Sequence, residues 1–181
     1  MASGKRNYAL VTAGLTVASA IIAYAVALSK KVKKVHTEIE INASDECVWK
    51  VLTDFPNFTK WNPFITKITG TLTEGSRLKV RIQLFDEKPM NFRPIILRIR
   101  PNRELRWIGK FAIPGLFTGE HVFSIEPLGD NHVRFIHTEN FTGLFMLLYG
   151  NNFDVNIRQG FKEMNRALKA KAEQMSYSLG P

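Results

Sequence analysis

The sequence predicts an α+β fold in which a curved antiparallel sheet packs on one long C-terminal helix. Two observations predict it. Apolar residues recur every three or four positions over Phe153–Met175, the period of one helix face. Upstream, short stretches of alternating apolar and polar residues are separated by turn residues, without a second long helical pattern. Because a helix with one apolar stripe must bury it against a broad apolar surface, the strands and the helix are expected to share one core.

The predicted C-terminal helix contains one residue that disfavours a helix. Gly160 lies beside Ile157 and Phe161 on the apolar stripe. A glycine inside a helix costs about 1 kcal/mol relative to alanine, so we expect Gly160 to allow the close approach of a strand or a ligand. Two interpretations of the helix stay open at this point: a core element that closes the sheet, or the lid of a cavity.

The strands are preceded by two short helical segments. His36–Asn42 alternates as a first strand, Ser44 can cap a short helix that Pro56 ends, and a second short helix or turn leads to Trp61–Phe64. Six further strands are predicted near Ile65–Leu72, Arg77–Phe85, Asn91–Arg100, Glu104–Phe111, Phe117–Glu126 and His132–Phe141. Residues 35–181 are therefore expected to form one domain.

Alternation along the middle strands predicts a sheet with two different faces. The apolar face is assigned Leu78, Val80, Ile82, Leu84, Ile95, Leu97, Ile99, Leu105, Trp107 and Phe111. The basic face is assigned Lys79, Arg81, Arg98, Arg100, Arg106 and Lys110. The basic face is interpreted first as a solvated surface and, alternatively, as a surface that lies against anionic lipid.

The N-terminal segment is predicted to be a membrane anchor. Tyr8–Ser29 contains no charged residue and is rich in Ala, Val, Leu and Ile, and roughly 20 such residues span a bilayer. The alternative is a cleaved signal peptide. The lysine-rich neck that follows, Lys30–Lys34, favours the anchor and a cytoplasmic C-terminal side. Residues 1–34 are thus assigned to an anchor and neck, and a single-pass membrane protein is predicted.

The net charge of +9 is concentrated in this segment, because residues 1–34 hold six Lys or Arg and no acidic residue. Nucleic acid is therefore not a predicted partner. The single cysteine, Cys47, excludes an internal disulfide and is expected to be a packed, unreactive thiol.

Six segments carry a resemblance to a known group of proteins. They are Ala43–Trp49, Leu52–Phe55, Trp61–Phe64, Gly119–Phe123, Glu139–Gly143 and Gly160–Lys169. With the order of elements, they make residues 35–175 resemble the START/Bet v 1-like (SRPBCC) superfamily, and within it the polyketide cyclase/dehydrase-like group. The resemblance implies a helix-grip fold, with a ligand cavity between the concave sheet and the C-terminal helix. Because this superfamily has many functions, the resemblance predicts the fold better than the activity.

The residues expected around that cavity are mostly aromatic. They are Trp61, Phe64, Trp107, Phe111, Phe117, Phe123, Phe153, Ile157, Phe161 and Met164. Three polar residues, His121, His137 and Glu139, alternate with these apolar residues on the strands. A histidine or glutamate on such a wall could orient a ligand carbonyl or abstract a proton. The alternative for each is a hydrogen-bonded polar group of the core or its rim.

The sequence lacks the motifs of several common phosphate, nucleophile and metal sites. It has no glycine-rich phosphate loop, no Gly-x-Ser-x-Gly and no His-Glu-x-x-His. His121 and His137 could approach each other across strands, but no third metal ligand is evident. No metal or cofactor is predicted.

Three functions are compatible with these features. The leading prediction is a membrane-anchored, non-catalytic binder or carrier of an apolar molecule such as a lipid, sterol or isoprenoid. The second is a cyclase- or dehydratase-like enzyme that uses His121 and Glu139, and the third is an interaction module that docks on a membrane or protein. A wholly apolar tunnel would favour the carrier, a cavity where His121 and Glu139 converge would favour the enzyme, and a filled core would favour the module.

Overall fold

The computed structural model describes residues 32–84, 87–110, 113, 115–144 and 152–179, together with Ser19 and Ala27. Its elements in chain order are β1 (Lys33–Ile41), α1 (Asp45–Thr53), a 3-10 turn (Phe55–Asn57), α2 (Phe58–Trp61), β2 (Ile65–Thr69), β3 (Lys79–Ile82), β4 (Met90–Phe92), β5 (Ile95–Arg100), β6 (Glu104–Lys110), β7 (Thr118–Gly129), β8 (His132–Thr142) and α3 (Asn152–Leu179).

None of the helices in the described ranges is long and apolar enough to cross a membrane. The predicted anchor, Tyr8–Ser29, lies outside those ranges except for Ser19 and Ala27. The anchor therefore stays a prediction from the sequence, whereas the last two residues of the predicted neck, Lys33 and Lys34, belong to β1, and Lys33 pairs with Asp154 at 2.9 Å.

The strands form two antiparallel sheets. The larger has the order β1-β8-β7-β6-β5, and the smaller has the order β2-β3-β4. They are joined where the chain enters β5, through a bridge between Arg77 and Ile95 and a 2.8 Å hydrogen bond from the Leu78 amide to the Pro94 carbonyl. The predicted α+β architecture with one long C-terminal helix is confirmed, with the strands divided between two sheets.

One predicted strand is two strands in the structure. The stretch 91–100 divides into β4 and β5, because Pro94 between them has no amide proton for a ladder hydrogen bond. The inward residues of β5 also differ from the prediction. The register of β5 shifts between Ile96 and Arg98, so Ile96 is buried while Leu97, which alternation places inside, is 43% exposed.

Helix α3 buries the predicted apolar stripe. Its buried apolar residues include Ile157, Phe161, Met164, Leu168 and Ala172. The helix packs on β1 and on α1.

Helix α1 begins as predicted. The Ser44 hydroxyl accepts a hydrogen bond of 3.2 Å from the Cys47 amide. The buried Cys47 thiol donates to the Ala172 carbonyl at 3.3 Å, and burial raises the pKa of that thiol. This environment agrees with a packed, unreactive cysteine.

Gly160 admits the ring of Phe64 to the surface of α3. A Cβ atom at residue 160 would lie 2.8 Å from Cε2 of Phe64 and closer still to Cδ2. The Phe64 ring also packs edge-on against Phe161, with ring centroids 5.4 Å apart. The neighbour that approaches Gly160 is thus an aromatic side chain, rather than a strand or a ligand, and the core is packed at this level of the helix.

We predict that Gly160→Ala destabilises the chain although alanine favours a helix by about 1 kcal/mol. The new methyl group would displace a buried ring, and overpacking of this kind costs about 1–3 kcal/mol. In a Phe64→Leu background the ring is absent, so the same change should be neutral or stabilising. Thermal unfolding of the four proteins of this double-mutant cycle measures the effect.

Gly109→Ala is the matched control, because a Cβ at residue 109 would meet its nearest atom at 3.9 Å, an ordinary contact. An equal effect of Gly160→Ala in both backgrounds would contradict the assignment of its cost to Phe64.

Candidate ligand-binding site

A cavity of about 140 Å³ lies between the sheets and the N-terminal part of α3. Strands β3, β4, β6, β7 and β8 and the residue Ile157 of α3 contribute to its walls. The walls are largely apolar, and their titratable groups are His121 and Glu139. Cavities of about 150 Å³ with apolar walls hold molecules the size of benzene. The arrangement matches a small-molecule site, in which a few polar groups orient a mostly apolar ligand.

The structure brings five of the predicted residues to the cavity wall. They are Trp107, Phe117, His121, Glu139 and Ile157. Phe64, Phe123, His137, Phe161 and Met164 are buried in the core without lining the cavity. Phe111 and the side chain of Phe153 lie outside the described part of the structure.

Trp61 lies away from the cavity, contrary to the prediction. It sits beside Met175 in a surface groove between α1, α2 and the C-terminal part of α3. The cause is the turn that follows α2. The Asn62 side-chain oxygen accepts hydrogen bonds from the amides of Phe64 at 3.0 Å and Ile65 at 2.8 Å. This turn directs Phe64 into the core, while Trp61 stays with α2.

Several wall residues were not predicted as site residues. They include Met90, Phe92, Pro94 and Phe141. Met90 and Phe92 alternate on β4, so their period of two carried a usable signal. The predicted strand Asn91–Arg100 starts after Met90 and joins β4 to β5, so it does not show this alternation.

A row of buried polar side chains runs from the cavity into the core, and we call it the polar chain. Nδ1 of His121 lies 3.4 Å from Oε2 of Glu139. Nε2 of His121 lies 2.5 Å from Nε2 of His137. Nδ1 of His137 is 2.9 Å from Oδ1 of Asn165, and Nδ2 of Asn165 donates to the Thr37 hydroxyl at 2.9 Å.

Strand register places the members of the polar chain together. His121 of β7 pairs directly with Glu139 of β8, and His137 is opposite Phe123 on the same two strands. Asn165 comes from α3 and Thr37 from β1, so the polar chain joins four elements. Asn165 and Thr37 were not predicted as site residues. Thr37 did carry a signal, because it is a polar residue on the inward face of an alternating strand.

Aromatic rings enclose the two histidines. The His137 ring stacks on Phe161, with centroids 3.6 Å apart. The His121 ring contacts Trp107 and Phe123, with centroid distances of 5.4 and 4.5 Å. The histidines are 2% and 0% exposed, respectively for His121 and His137, so water does not compensate a charge on either ring.

Burial shifts the pKa of each titratable group in the polar chain toward its uncharged form. It lowers the pKa of His137 to about 3. It lowers the pKa of His121 well below the ordinary value, and the neighbouring His137 lowers it further. Burial raises the pKa of Glu139 to about 8. At neutral pH the contact between Glu139 and His121 therefore joins a carboxylic acid and a neutral imidazole rather than an ion pair.

The donor and the acceptor of each hydrogen bond in the polar chain follow from the neutral form of its side chains and from the orientation of the Asn165 amide. His137 donates from Nδ1 to Asn165 Oδ1, so its Nε2 carries the lone pair. His121 then donates from Nε2 to that lone pair, which leaves Nδ1 of His121 as the acceptor that faces the protonated Glu139. Within the described ranges, no group of three His, Cys, Asp or Glu side chains is placed to hold a metal ion.

Solved structures share this fold at low sequence identity. The Zhui aromatase/cyclase from Streptomyces sp. R1128 is 14% identical, with a TM-score of 0.66 over 83% of this chain and 99% of that chain. TTHA0849 from Thermus thermophilus is 16% identical, with a TM-score of 0.65 over 80% and 99% of the two chains. Ara h 8.0201 is 15% identical, with a TM-score of 0.62 over 80% and 99%. These similarities and the sheet–helix arrangement define a helix-grip fold.

The family model described as polyketide cyclase / dehydrase and lipid transport matches residues 32–173. The chain belongs to this family, and the resemblance inferred from the sequence is confirmed. No curated protein matches the chain.

We predict that stability declines on both sides of about pH 6.5. The Glu139 contribution is fully present below its ordinary pKa of 4.5 and is lost as the pH rises from there to about 8, and between pH 4.5 and 6.5 the lowered pKa values of His137 and His121 together outweigh this loss. His137 has a folded pKa of about 3 against 6.5, so its contribution is present above 6.5 and is lost as the pH falls toward 3. Unfolding midpoints across this range measure the effect.

Glu139→Gln separates the two sides of this profile. Glutamine can still donate to His121 but does not titrate, so the alkaline decline between about pH 6.5 and 8 should disappear while the acid decline stays. An alkaline decline of equal size in the variant would show that Glu139 is not its source.

Proposed function

We propose that this domain binds a small, largely apolar molecule in the cavity between its sheets and α3. The observation that carries the proposal is the cavity itself, whose apolar walls end at one polar contact, between Glu139 and His121. Lipid transport is part of the description of the family. Because a cavity of about 140 Å³ accepts a group the size of benzene, a lipid, sterol or isoprenoid would place only one apolar end inside these walls.

We further propose that the chain carries this ligand at a membrane surface, on the cytoplasmic side. The uncharged span Tyr8–Ser29 would anchor it, and the lysines of the neck Lys30–Lys34, apart from Lys33 that pairs with Asp154, would face anionic lipid headgroups. The structure adds a second basic surface, a groove on the smaller sheet. Its cations are Lys67, Lys79, Arg81 and Arg93.

The charges in this groove are available to a partner. Within the described ranges, none of its four cations forms an ion pair with an acidic side chain. Arg106 of the larger sheet differs, because it contacts both Glu104 and Glu120 at 3.0 Å. Each unpaired cation near an anionic leaflet contributes about 1 kcal/mol to membrane binding.

One observation favours a second function, acid–base catalysis on the bound molecule. Glu139 and His121 converge at the cavity wall, 3.4 Å apart, which is the arrangement expected of a cyclase- or dehydratase-like enzyme. A carboxyl whose pKa is about 8 can give and take a proton near neutral pH. Both functions require binding. Conversion of a bound molecule that is lost in Glu139→Gln, while binding is kept, would identify the enzyme.

We predict that Ile82→Phe weakens the binding of a fluorescent fatty acid or sterol probe. Ile82 lines the cavity and is only partly buried, so the larger ring would occupy ligand space at little cost in stability. Ile39→Phe is the matched control, because Ile39 is also a partly buried strand residue but does not line the cavity. Probe titrations, read beside thermal stability, check the prediction. Equal probe affinity in both variants would argue against binding in this cavity.

We predict that the 181-residue chain resists extraction from membranes by alkaline carbonate, because an uncharged span of about 20 residues inserts stably into a bilayer. Membrane fractionation measures this. Release by carbonate, or an N-terminus found by sequencing at Val26 or Leu28, would instead support a cleaved signal peptide.

A further inference from the structure

We propose that the polar chain makes the cavity selective for ligands that bring a hydrogen-bond donor, a hydroxyl or an N–H group, to Oε1 of Glu139. This inference rests on the proposed binding function and specifies the chemical class of its ligand. An apolar molecule with a single hydroxyl would then bind in preference to the same skeleton without that donor.

The first step is the position of the Glu139 carboxyl group. Its Oε2 atom faces His121, and its Oε1 atom lies over Gly119 of the neighbouring strand. A Cβ atom at residue 119 would be 2.6 Å from Oε1, so the glycine provides the space that the carboxyl group occupies. Gly119 and Glu139 both line the cavity, and the Glu139 side chain is 12% exposed. The carboxyl group is therefore accessible from the cavity.

The second step is that this oxygen lacks a protein partner. Within the described ranges, the polar side chain that faces the Glu139 carboxyl group is His121, at Oε2, and no donor faces Oε1. Because Oε1 is open to the cavity, an apolar ligand that covers it would leave this acceptor without a hydrogen bond, which is costly. A ligand donor at this position would remove that cost.

The third step is the direction of the hydrogen bonds. Asn165 accepts from His137 and His137 accepts from His121, which leaves Nδ1 of His121 as the acceptor that faces Oε2 at 3.4 Å, so the carboxyl proton is assigned to Oε2. Oε1 is then a carbonyl oxygen. If the Asn165 amide turns over, the directions reverse, and His121 donates from Nδ1 to Oε2. In that reversed case the proton of the neutral carboxyl group would lie on Oε1 and make it a donor, so the acceptor role of Oε1 depends on the Asn165 orientation in which Nδ2 donates to Thr37.

The remote members of the polar chain are positioning residues in this proposal. The Asn165 side chain makes hydrogen bonds to both His137 and Thr37, and it thereby holds both imidazole rings in place. It does not line the cavity. A change at Asn165 should alter the selectivity for a donor while leaving the apolar walls intact.

The experiment compares three probes that share a benzene ring, a size which a cavity of this volume accepts. They are para-ethylphenol, which donates and accepts, para-ethyltoluene, which does neither, and para-ethylbenzaldehyde, which only accepts. Affinities are measured by ligand-observed NMR with the whole chain in a mild detergent. The ratio of phenol to toluene affinity is compared between variants at one detergent concentration, so partition of the probes into micelles cancels.

Glu139→Met and Glu139→Gln form the matched pair. Methionine removes the acceptor and keeps the length of the side chain, so the phenol-to-toluene ratio should fall about tenfold, the effect of one buried hydrogen bond. Glutamine keeps an acceptor oxygen for the ligand and an N–H for His121, so it should retain most of the preference. Asn165→Leu should also lower the ratio while the toluene affinity stays near that of the unchanged chain.

Each other outcome overturns a specific claim. If the unchanged chain binds the probes but Glu139→Met does not lower the ratio, the donor selectivity is wrong and the binding function stands. If Glu139→Met instead weakens the aldehyde more than the phenol, Glu139 is a donor and the proposed direction is wrong. If the unchanged chain binds none of the three probes, the binding function and the inference both fail.

Discussion

The fold depends on holding three titratable side chains in their uncharged forms inside one core. Glu139 and His121 line the cavity and His137 lies behind them, and a charge on either buried imidazole would lack solvation by water. The polar chain ends at Asn165 and Thr37, so the same hydrogen bonds join β1, β7, β8 and α3. Because these hydrogen bonds need neutral partners, a charge on a residue of the candidate site would also disturb the packing of the domain.

Helix α3 both closes the core and forms part of the wall of the cavity. Near its beginning, α3 contributes Ile157 to the cavity. One turn later Gly160 admits Phe64, and from Phe161 onward the helix is packed against the core. Both interpretations of the helix therefore hold, at different levels. The polar chain lies at the boundary between the packed part and the open part, where it can present a polar group to a ligand without exposing the core.

Repeating patterns over neighbouring residues predicted the fold. The features that they missed are interruptions of such a pattern and contacts between distant residues. The stripe of α3 and the alternation of β7 and β8 predicted the helix and the inward direction of His121, His137 and Glu139, of which His121 and Glu139 line the cavity and His137 lies in the core. The division at Pro94 and the bulge after Ile96 changed the inward residues, because a bulge breaks a period of two. Asn165 was missed because its partner Thr37 is 128 positions away. Such a contact depends on tertiary packing, which periodicity does not report.

The central claim is that the polar chain is uncharged at neutral pH and directed toward Asn165. Long-range proton–nitrogen NMR correlations of the histidine rings test it most directly, because they identify which ring nitrogens carry protons. We expect two neutral imidazoles, with the proton on Nδ1 of His137 and on Nε2 of His121, and no titration of either ring near the ordinary pKa of 6.5. A charged imidazole at His121 or His137 at neutral pH would contradict the account.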